Sequence, residues 1–293
     1  MAVKKRQKTL SHGRPPVAIS KERMSSQRSR TIIRDHHRLQ KEHAAAVKKG
    51  NTKLAEKLTK AIEENGGLKV YQAASKQGQS KERGGDSSKV LIEWLQEAEV
   101  IQSKKDAKEG AEIGSKTRLR CLEVGALSTK NEISRFPKEI EMTRIDLNSQ
   151  SLGIEKQDFM ERPLPESSVE SFDVISLSLV LNYAPDPIQR GEMLKRVAQH
   201  LRDVDAEDTT KATVLPALFL VLPLPCVENS RYLNEQLLMR IMTNMGFTVQ
   251  KKKKTSKLCY YLFSLTGKNN SVKTGKKEIK NGITMNNFCI VVE

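Results

Sequence analysis

Two short stretches carry a glycine and carboxylates at a spacing that suits a nucleoside. Residues 118–128 read Arg-Leu-Arg-Cys-Leu-Glu-Val-Gly-Ala-Leu-Ser, an apolar run that closes on Glu123 and Gly125, and Asp146 follows 21 residues after that glycine at the end of a second apolar run. A glycine at a strand-to-helix turn lets a ligand approach the backbone, and a carboxylate at the tip of the next strand accepts hydrogen bonds from ribose hydroxyls. The turn has one glycine where a dinucleotide fingerprint needs three, so it writes no cradle for a pyrophosphate. The expected guest is a nucleoside-shaped cofactor without phosphate. Chemistry on a second substrate falls to Ser178, Asn182 and Tyr183, which follow a later apolar stretch, because ligands in open α/β sheets meet at the carboxyl ends of strands.

Such residues need strands whose ends converge. Apolar runs predict strands over 119–124, 141–145, 172–179, 218–222, 258–265 and 287–292, with a weaker one over 154–156. A helix is predicted from Pro187, capped by Asp186 and carrying Ile188, Met193, Leu194, Val197 and Leu201 on one face, and another over 233–245, stopped by Gly246. This alternation argues for an α/β fold: an open, largely parallel sheet with helices on its faces. Only residues 149–153 separate the second and third strands, where a parallel crossover normally takes a dozen residues or more. Either the third strand is rudimentary or a helix is missing there. Upstream, residues 1–30 lack apolar periodicity and are expected to form a disordered basic tail. Residues 31–102 form a helical region: a basic αα-hairpin turning at 49–52 and closed by Gly66 and Gly67, then a helix capped within 84–88 whose face of Val90, Leu91, Trp94, Leu95 and Ala98 is expected to pack on the domain that follows. Residues 103–117 read as a linker and 118–293 as the α/β domain.

Charge is unevenly placed. Of the net +16, most sits in residues 1–60, which hold 17 Lys and Arg against 4 Asp and Glu. Lys251, Lys252, Lys253 and Lys254 open a second basic tract that continues through Lys257, Lys268, Lys273, Lys276, Lys277 and Lys280. Two basic ends suit a polyanion such as nucleic acid; solvated lysines that keep the protein soluble are the plainer alternative. The basic tail also suits nuclear or nucleolar targeting. Cys121, Cys226, Cys259 and Cys289 are scattered singly in apolar runs and read as buried and reduced. The longest apolar candidate, 214–227, is broken by Pro216, Pro223 and Pro225, and the N-terminus has no apolar signal core, so a soluble intracellular protein with no membrane partner is expected. His36, His37 and His43 have no cysteine nearby and read as polar helix-face residues, with no metal assigned.

In order along the chain, Glu123-Val124-Gly125, Ile145-Asp146-Leu147, Gln157-Asp158-Phe159 and Phe172-Asp173-Val174-Ile175-Ser176, then residues 179–187 (Leu-Val-Leu-Asn-Tyr-Ala-Pro-Asp-Pro), resemble the motifs of class I S-adenosylmethionine-dependent methyltransferases over roughly 118–293. The first motif's form over 122–128, with Gly66-Gly67-Leu68, Tyr71-Gln72, the 84–89 stretch and Asn286-Asn287-Phe288, is similar to the fungal family that methylates adenine N1 in 25S ribosomal RNA. That family includes the animal S-adenosylmethionine sensor of the TORC1 pathway. The resemblance implies a Rossmann-like sheet with a basic helical N-terminal extension and S-adenosylmethionine as cofactor. It implies Gly125 against the methionine part, Glu123 near the amino group, Asp146 on the ribose, and Asp158 with Phe159 flanking the adenine. Large-subunit rRNA or a pre-ribosome becomes the expected partner, held by the basic N-terminal region and Lys251 to Lys254. Adenine N1 already has a lone pair, so no base need act and alignment matters most. Its Watson-Crick edge must be unpaired, with Asn182 bonding that edge and Tyr183 stacking on the ring. The segment lacks the Asn-Pro-Pro-Tyr motif of amino-group methyltransferases, which argues against N6. Two other readings remain: a non-catalytic cofactor sensor, and a methyltransferase of proteins or small molecules.

Overall fold

The chain builds outward from its most apolar strands. In the computed structural model, which describes residues 24–78, 85–102, 118–149, 151–204, 214–267 and 272–293, β1 (Leu119–Val124), β4 (Val174–Ser178) and β5 (Ala217–Pro223) lie side by side at the centre of one sheet. Strands covered on both faces read as continuous apolar runs, and β5, Ala-Leu-Phe-Leu-Val-Leu-Pro, is buried along almost its whole length. Its side chains alternate: Leu218, Leu220 and Leu222 enter one core, Ala217, Phe219 and Val221 the other. With β2 (Ile140–Asp146), β3 (Glu155–Lys156), β6 (Phe247–Lys254) and β7 (Leu258–Leu265) the order is β3-β2-β1-β4-β5-β7-β6, and β7 alone runs antiparallel to its neighbours.

The short second connection is resolved in favour of a rudimentary strand. β3 has two residues, and among the described residues a turn rather than a helix leads to it from β2. After β1 there is likewise a single 3-10 turn, Glu132–Arg135. The cover there comes from upstream. α4 (Ser88–Glu97) sets Leu91, Trp94 and Leu95 against Phe219 and Val221, with the Trp94 ring edge-on to Phe219 at 6.0 Å. Its N-terminal stretch stitches helix and turn together. Asp86 accepts from the backbone N–H of Ser88 at 2.9 Å and from that of Glu132, and Ser88 Oγ accepts from Ile133 N–H at 3.2 Å.

The opposite face is covered by α5 (Pro187–His200) and, further on, by α7 (Glu235–Asn244), with the short α6 (Leu224–Glu228) between β5 and α7. Asp186 caps α5 as expected, accepting from Ile188 N–H at 2.8 Å. The first helix, α1 (Ser26–Lys48), starts earlier than its apolar stripe indicates. Ser25 accepts from Arg28 N–H at 3.1 Å, so residues 26–30 are helical rather than tail. α1 and α2 (Thr52–Glu64) share a small core of Leu39, Ala46 and Leu58, and the predicted hairpin proves to be three helices, because α3 (Gly67–Gly78) follows directly. The tail over 1–23, the linker over 103–117 and Gly84 lie outside the described residues.

Two expectations at the C-terminal end change places. The run 287–292 is not a sheet strand: it forms a buried strap, with Phe288, Cys289, Ile290 and Val292 inside, tied by isolated bridges and by Val291 N–H donating to Pro187 O at 3.0 Å. The lysine tract, read only as basic charge, is strand β6 at the sheet's edge, paired in antiparallel register with the apolar β7. No described helix is long and apolar enough to cross a membrane.

Candidate functional site

The carboxyl ends of β1, β2 and β4 meet. Gly125 leaves β1 with φ +72, a left-handed conformation natural to glycine, and its N–H bonds Ile145 O at 2.8 Å, which sets the β1 tip beside Asp146. A Cβ at Gly125 would stand 2.6 Å from Val180 Cγ2. The missing side chain therefore makes room first for the segment after β4.

Glu123 is well inside. Both its oxygens accept from Asn131 Nδ2, at 2.8 and 3.0 Å, and Arg144 Nε lies 3.4 Å from Oε2. Burial pushes its carboxyl above the usual range, and the Asn131 and Arg144 contacts oppose the shift. Asp146 is half-buried; its Oδ1 accepts from Asn148 N–H at 2.8 Å, and burial raises its pKa against the pull of that bond and of Lys76. It lines a cleft with Ala126, Asn148 and Ile154 whose 10 Å³ holds about one water.

The outer wall of the cleft comes from α3, which the sequence reading did not place there. Gln72, 5% exposed, exchanges two hydrogen bonds with Asn148: its Nε2 donates to the carbonyl at 3.0 Å, and Asn148 Nδ2 donates to its Oε1 at 3.1 Å. Lys76 stands on the same wall. The only hint in the sequence was the Tyr71-Gln72 pair, and a polar residue on a basic helix has no visible partner until the fold supplies one.

The segment after β4 starts on a strained residue. Leu179 has φ +58, uncommon for a branched side chain and worth roughly 1 kcal/mol or more, and it is held by its N–H to Val221 O at 3.0 Å. Ser178, at the strand's end, shares a 2.7 Å hydrogen bond with Ser87 at the α4 N-terminus. Asn182 Oδ1 is buried and has no hydrogen-bond partner among the described residues. Unpaired buried acceptors are rare and costly, so this atom marks a place where a donor fits.

Tyr183 is enclosed by the N-terminal helices. His37 of α1 packs on its ring at 4.0 Å between centroids, Tyr71 of α3 stands edge-on at 5.6 Å, and His36 stacks on Tyr71 at 4.4 Å. The histidines expected as helix-face polar groups thus form an aromatic cluster. Burial, with help from Lys41 and His36, brings His37 down to about 4, so its ring is neutral near pH 7. Burial also raises the Tyr183 phenol.

Asp158 and Phe159 are not brought to the cleft. Asp158 Oδ1 accepts from Met160 N–H at 2.7 Å, a local turn, and Phe159 is 3% exposed in the main core, its ring 5.2 Å from that of His200. Asp173 accepts from Arg120 N–H and Arg202 Nε, both at 2.8 Å, and so ties the start of β4 to its neighbours. The lysines of β6 are largely paired: Lys251 with Glu97 at 2.9 Å and Lys253 with Glu93 at 3.4 Å on one face, Lys254 with Glu235 at 3.1 Å and Lys252 with the same carboxylate at 4.0 Å on the other.

A family model described as 25S rRNA (adenine(2142)-N(1))-methyltransferase, Bmt2, matches residues 56–290. A 25S rRNA adenine-N(1) methyltransferase of Schizosaccharomyces pombe is 36% identical over 260 residues, covering 88% of this chain and 89% of the relative. The 25S rRNA (adenine(2142)-N(1))-methyltransferase of Saccharomyces cerevisiae is 37% identical over 233 residues, 79% of this chain and 61% of its own length. Among solved structures, an O-methyltransferase of neocarzinostatin biosynthesis, in complex with S-adenosylmethionine, overlaps 80% of this chain and 70% of its own at 12% identity and TM-score 0.45.

Proposed function

Because the chain belongs to the 25S rRNA (adenine(2142)-N(1))-methyltransferase family, we propose that it is an S-adenosylmethionine-dependent enzyme that methylates N1 of an adenine in large-subunit rRNA. The observation in this molecule that carries the base-reading part is the buried Asn182 Oδ1, four residues past the end of β4 and without a hydrogen-bond partner among the described residues. An adenine presents its N6 amino group next to N1, and that amino group is a donor for such an acceptor.

Two carboxylates, one lining the cleft and one behind it, fit the cofactor's chemistry. Asp146 is a carboxylate at the tip of β2, suited to ribose hydroxyls, and Glu123 is a buried carboxylate near the β1 tip, suited to an ammonium. When bound, S-adenosylmethionine supplies an electrophilic methyl group on a sulfonium. Asn182 holds the amino edge of the base, so that the N1 lone pair faces the cofactor and no proton need leave N1 first. Tyr183 forms a wall of the base site together with His37 and Tyr71, and for it to stack on a base the His37 contact must open. Ser178, bonded to Ser87, supports the end of β4. The cleft beside Asp146 is narrow, so cofactor entry requires displacement of the Gln72 and Lys76 wall.

RNA is held through the basic N-terminal helices, and a nuclear, nucleolar location suits a substrate made there. The Lys251 to Lys254 tract contributes less than its sequence promises, since its charges already face Glu93, Glu97, Glu228 and Glu235.

The test is direct. Purified full-length protein with S-adenosylmethionine is expected to form 1-methyladenosine in undermodified large-subunit rRNA or an early pre-ribosome, read by mass spectrometry of nucleosides. Intact cofactor binding with no 1-methyladenosine in competent RNA would replace the enzyme by the sensor.

A further inference from the structure

We propose that Arg190 is a positioning residue for methyl transfer: from inside α5 it clamps the chain just beyond Asn182 and Tyr183, and the C-terminal strap completes its seat. This rests on the proposed function, in which Asn182 and Tyr183 face the base.

Arg190 is 2% exposed, and its guanidinium spreads over backbone carbonyls from two separate segments. Nε donates to Ala184 O at 2.9 Å and Nη2 to Pro185 O at 3.2 Å, the two peptide groups that follow Tyr183. Nη1 donates to Cys289 O of the strap at 2.6 Å, and the Phe288 ring lies 4.6 Å from the guanidinium carbon. A buried cation is tolerated only when its donors are met, and a hydrophobic side chain would fill a helix face at less cost if packing were the sole requirement. Arginine offers what no apolar residue can, a rigid planar fork that fixes several acceptors relative to one another.

The seat is itself rigid. A Cβ on Gly191 would lie 1.9 Å from Val291 O, so the strap's backbone rests directly on the α5 backbone. Ser230 Oγ donates to Phe288 O at 2.5 Å, while Arg231 donates to Met285 O and Gly282 O, each at 2.7 Å. The segment 180–186 starts from the strained Leu179 and has its far end in this clamp. Fixing both ends sets where Asn182 Oδ1 points, and a catalyst that works by alignment is sensitive to displacements of about 1 Å.

The experiment compares full-length wild type, Arg190→Lys, Arg190→Ala and Phe288→Leu. Melting temperature, calorimetric cofactor Kd, and kcat and KM for 1-methyladenosine formation on undermodified rRNA are measured for each. Arg190→Lys keeps the charge but cannot span three carbonyls. It should fold, bind cofactor and RNA within threefold of wild type, and lose kcat at least thirtyfold. Methylguanidinium should raise kcat of Arg190→Ala at least fivefold and leave wild type unchanged. Phe288→Leu, which loosens the seat but keeps the fork, should lose kcat three- to tenfold at unchanged cofactor Kd, and it decides the matter if the Arg190 variants do not fold. Wild-type kcat in Arg190→Lys or in Phe288→Leu overturns the proposal, and so does loss of cofactor binding in step with turnover, which makes Arg190 a residue of the fold alone. A wild type that forms no 1-methyladenosine sinks the proposed activity and this inference with it.

Discussion

At Gly125 and Asp146 order and spacing carried the argument, since a lone glycine after a strand is commonly just a turn and a lone aspartate a loop or cap residue. The geometry changes what substitution there should do. In Gly125→Arg the new side chain starts 2.6 Å from Val180 Cγ2 on a left-handed backbone, so cofactor binding should vanish, through displacement of the segment after β4 as well as through lost space. Calorimetry reads it, with circular dichroism to show that the protein is folded. Asp146→Ala should weaken the cofactor by about tenfold, the order expected for lost hydrogen bonds at roughly 1.4 kcal/mol. Glu123 yields a pH prediction. Its carboxyl is raised by burial, so in the cofactor-free fold the ionised form is the costly one, and stability owed to this group falls as pH rises through the raised value. A cationic amino group reverses the balance by favouring the carboxylate. Cofactor affinity should therefore drop as pH falls through a midpoint above the ordinary 4.5, and Glu123→Gln should lose that dependence. Equal pH profiles for the two proteins would separate Glu123 from the cofactor. Gln72 and Asn148 were illegible at this scale, because an amide pair 76 residues apart leaves no periodic signal.

Elements were legible where periodicity and burial agree, as in β5 and α5, and illegible where one hides the other. β6 has only Phe247 and Val249 as apolar residues, so its lysines read as basic charge and not as a strand; the register with β7 makes it one. The strap reads as a strand because it is apolar, yet its backbone bonds go to Pro187, Thr274 and the side chains around them instead of to a ladder. α3 was missed because two glycines usually end a helix, whereas here they separate two helices. The docking of α1 on Tyr183 gives a test at this scale. His37 titrates near 6.5 when unfolded and at about 4 when packed, so its contribution is fully present above pH 6.5 and is lost as pH falls toward 4. The wild type should lose denaturation midpoint between pH 7 and 4.5 by more than His37→Phe, which keeps the ring contact without a titrating nitrogen. Identical losses would mean that His37 does not govern the docking.

Over the whole molecule the basic charge divides into paired and unspent portions. Lys53, Lys57 and Lys60 are exposed along one side of α2, while Lys251 and Lys253 face Glu97 and Glu93. Phosphate neutralisation releases counterions, and each contact adds about 0.7 to 0.9 to the slope of log affinity against log salt. Replacing the three α2 lysines by glutamine should flatten the slope for rRNA by about 2, and replacing Lys251 and Lys253 should change it by less than about 0.5; the reverse order would put the RNA on β6. The charge excess was plain from composition, but its division was not, because the glutamates that answer β6 come from α4, α6 and α7. The same lysines have a consequence for how the protein behaves among copies of itself. An open sheet has two borders, and each unpaired border can recruit a strand from a neighbour. Here one border is β3, only two residues long, and the other is β6, whose four successive lysines are held to glutamates on both faces and crowd the edge a stacking chain would have to reach. The β6 border is thereby guarded against fibril-like growth, and the β3 border offers a neighbour a strand of only two residues.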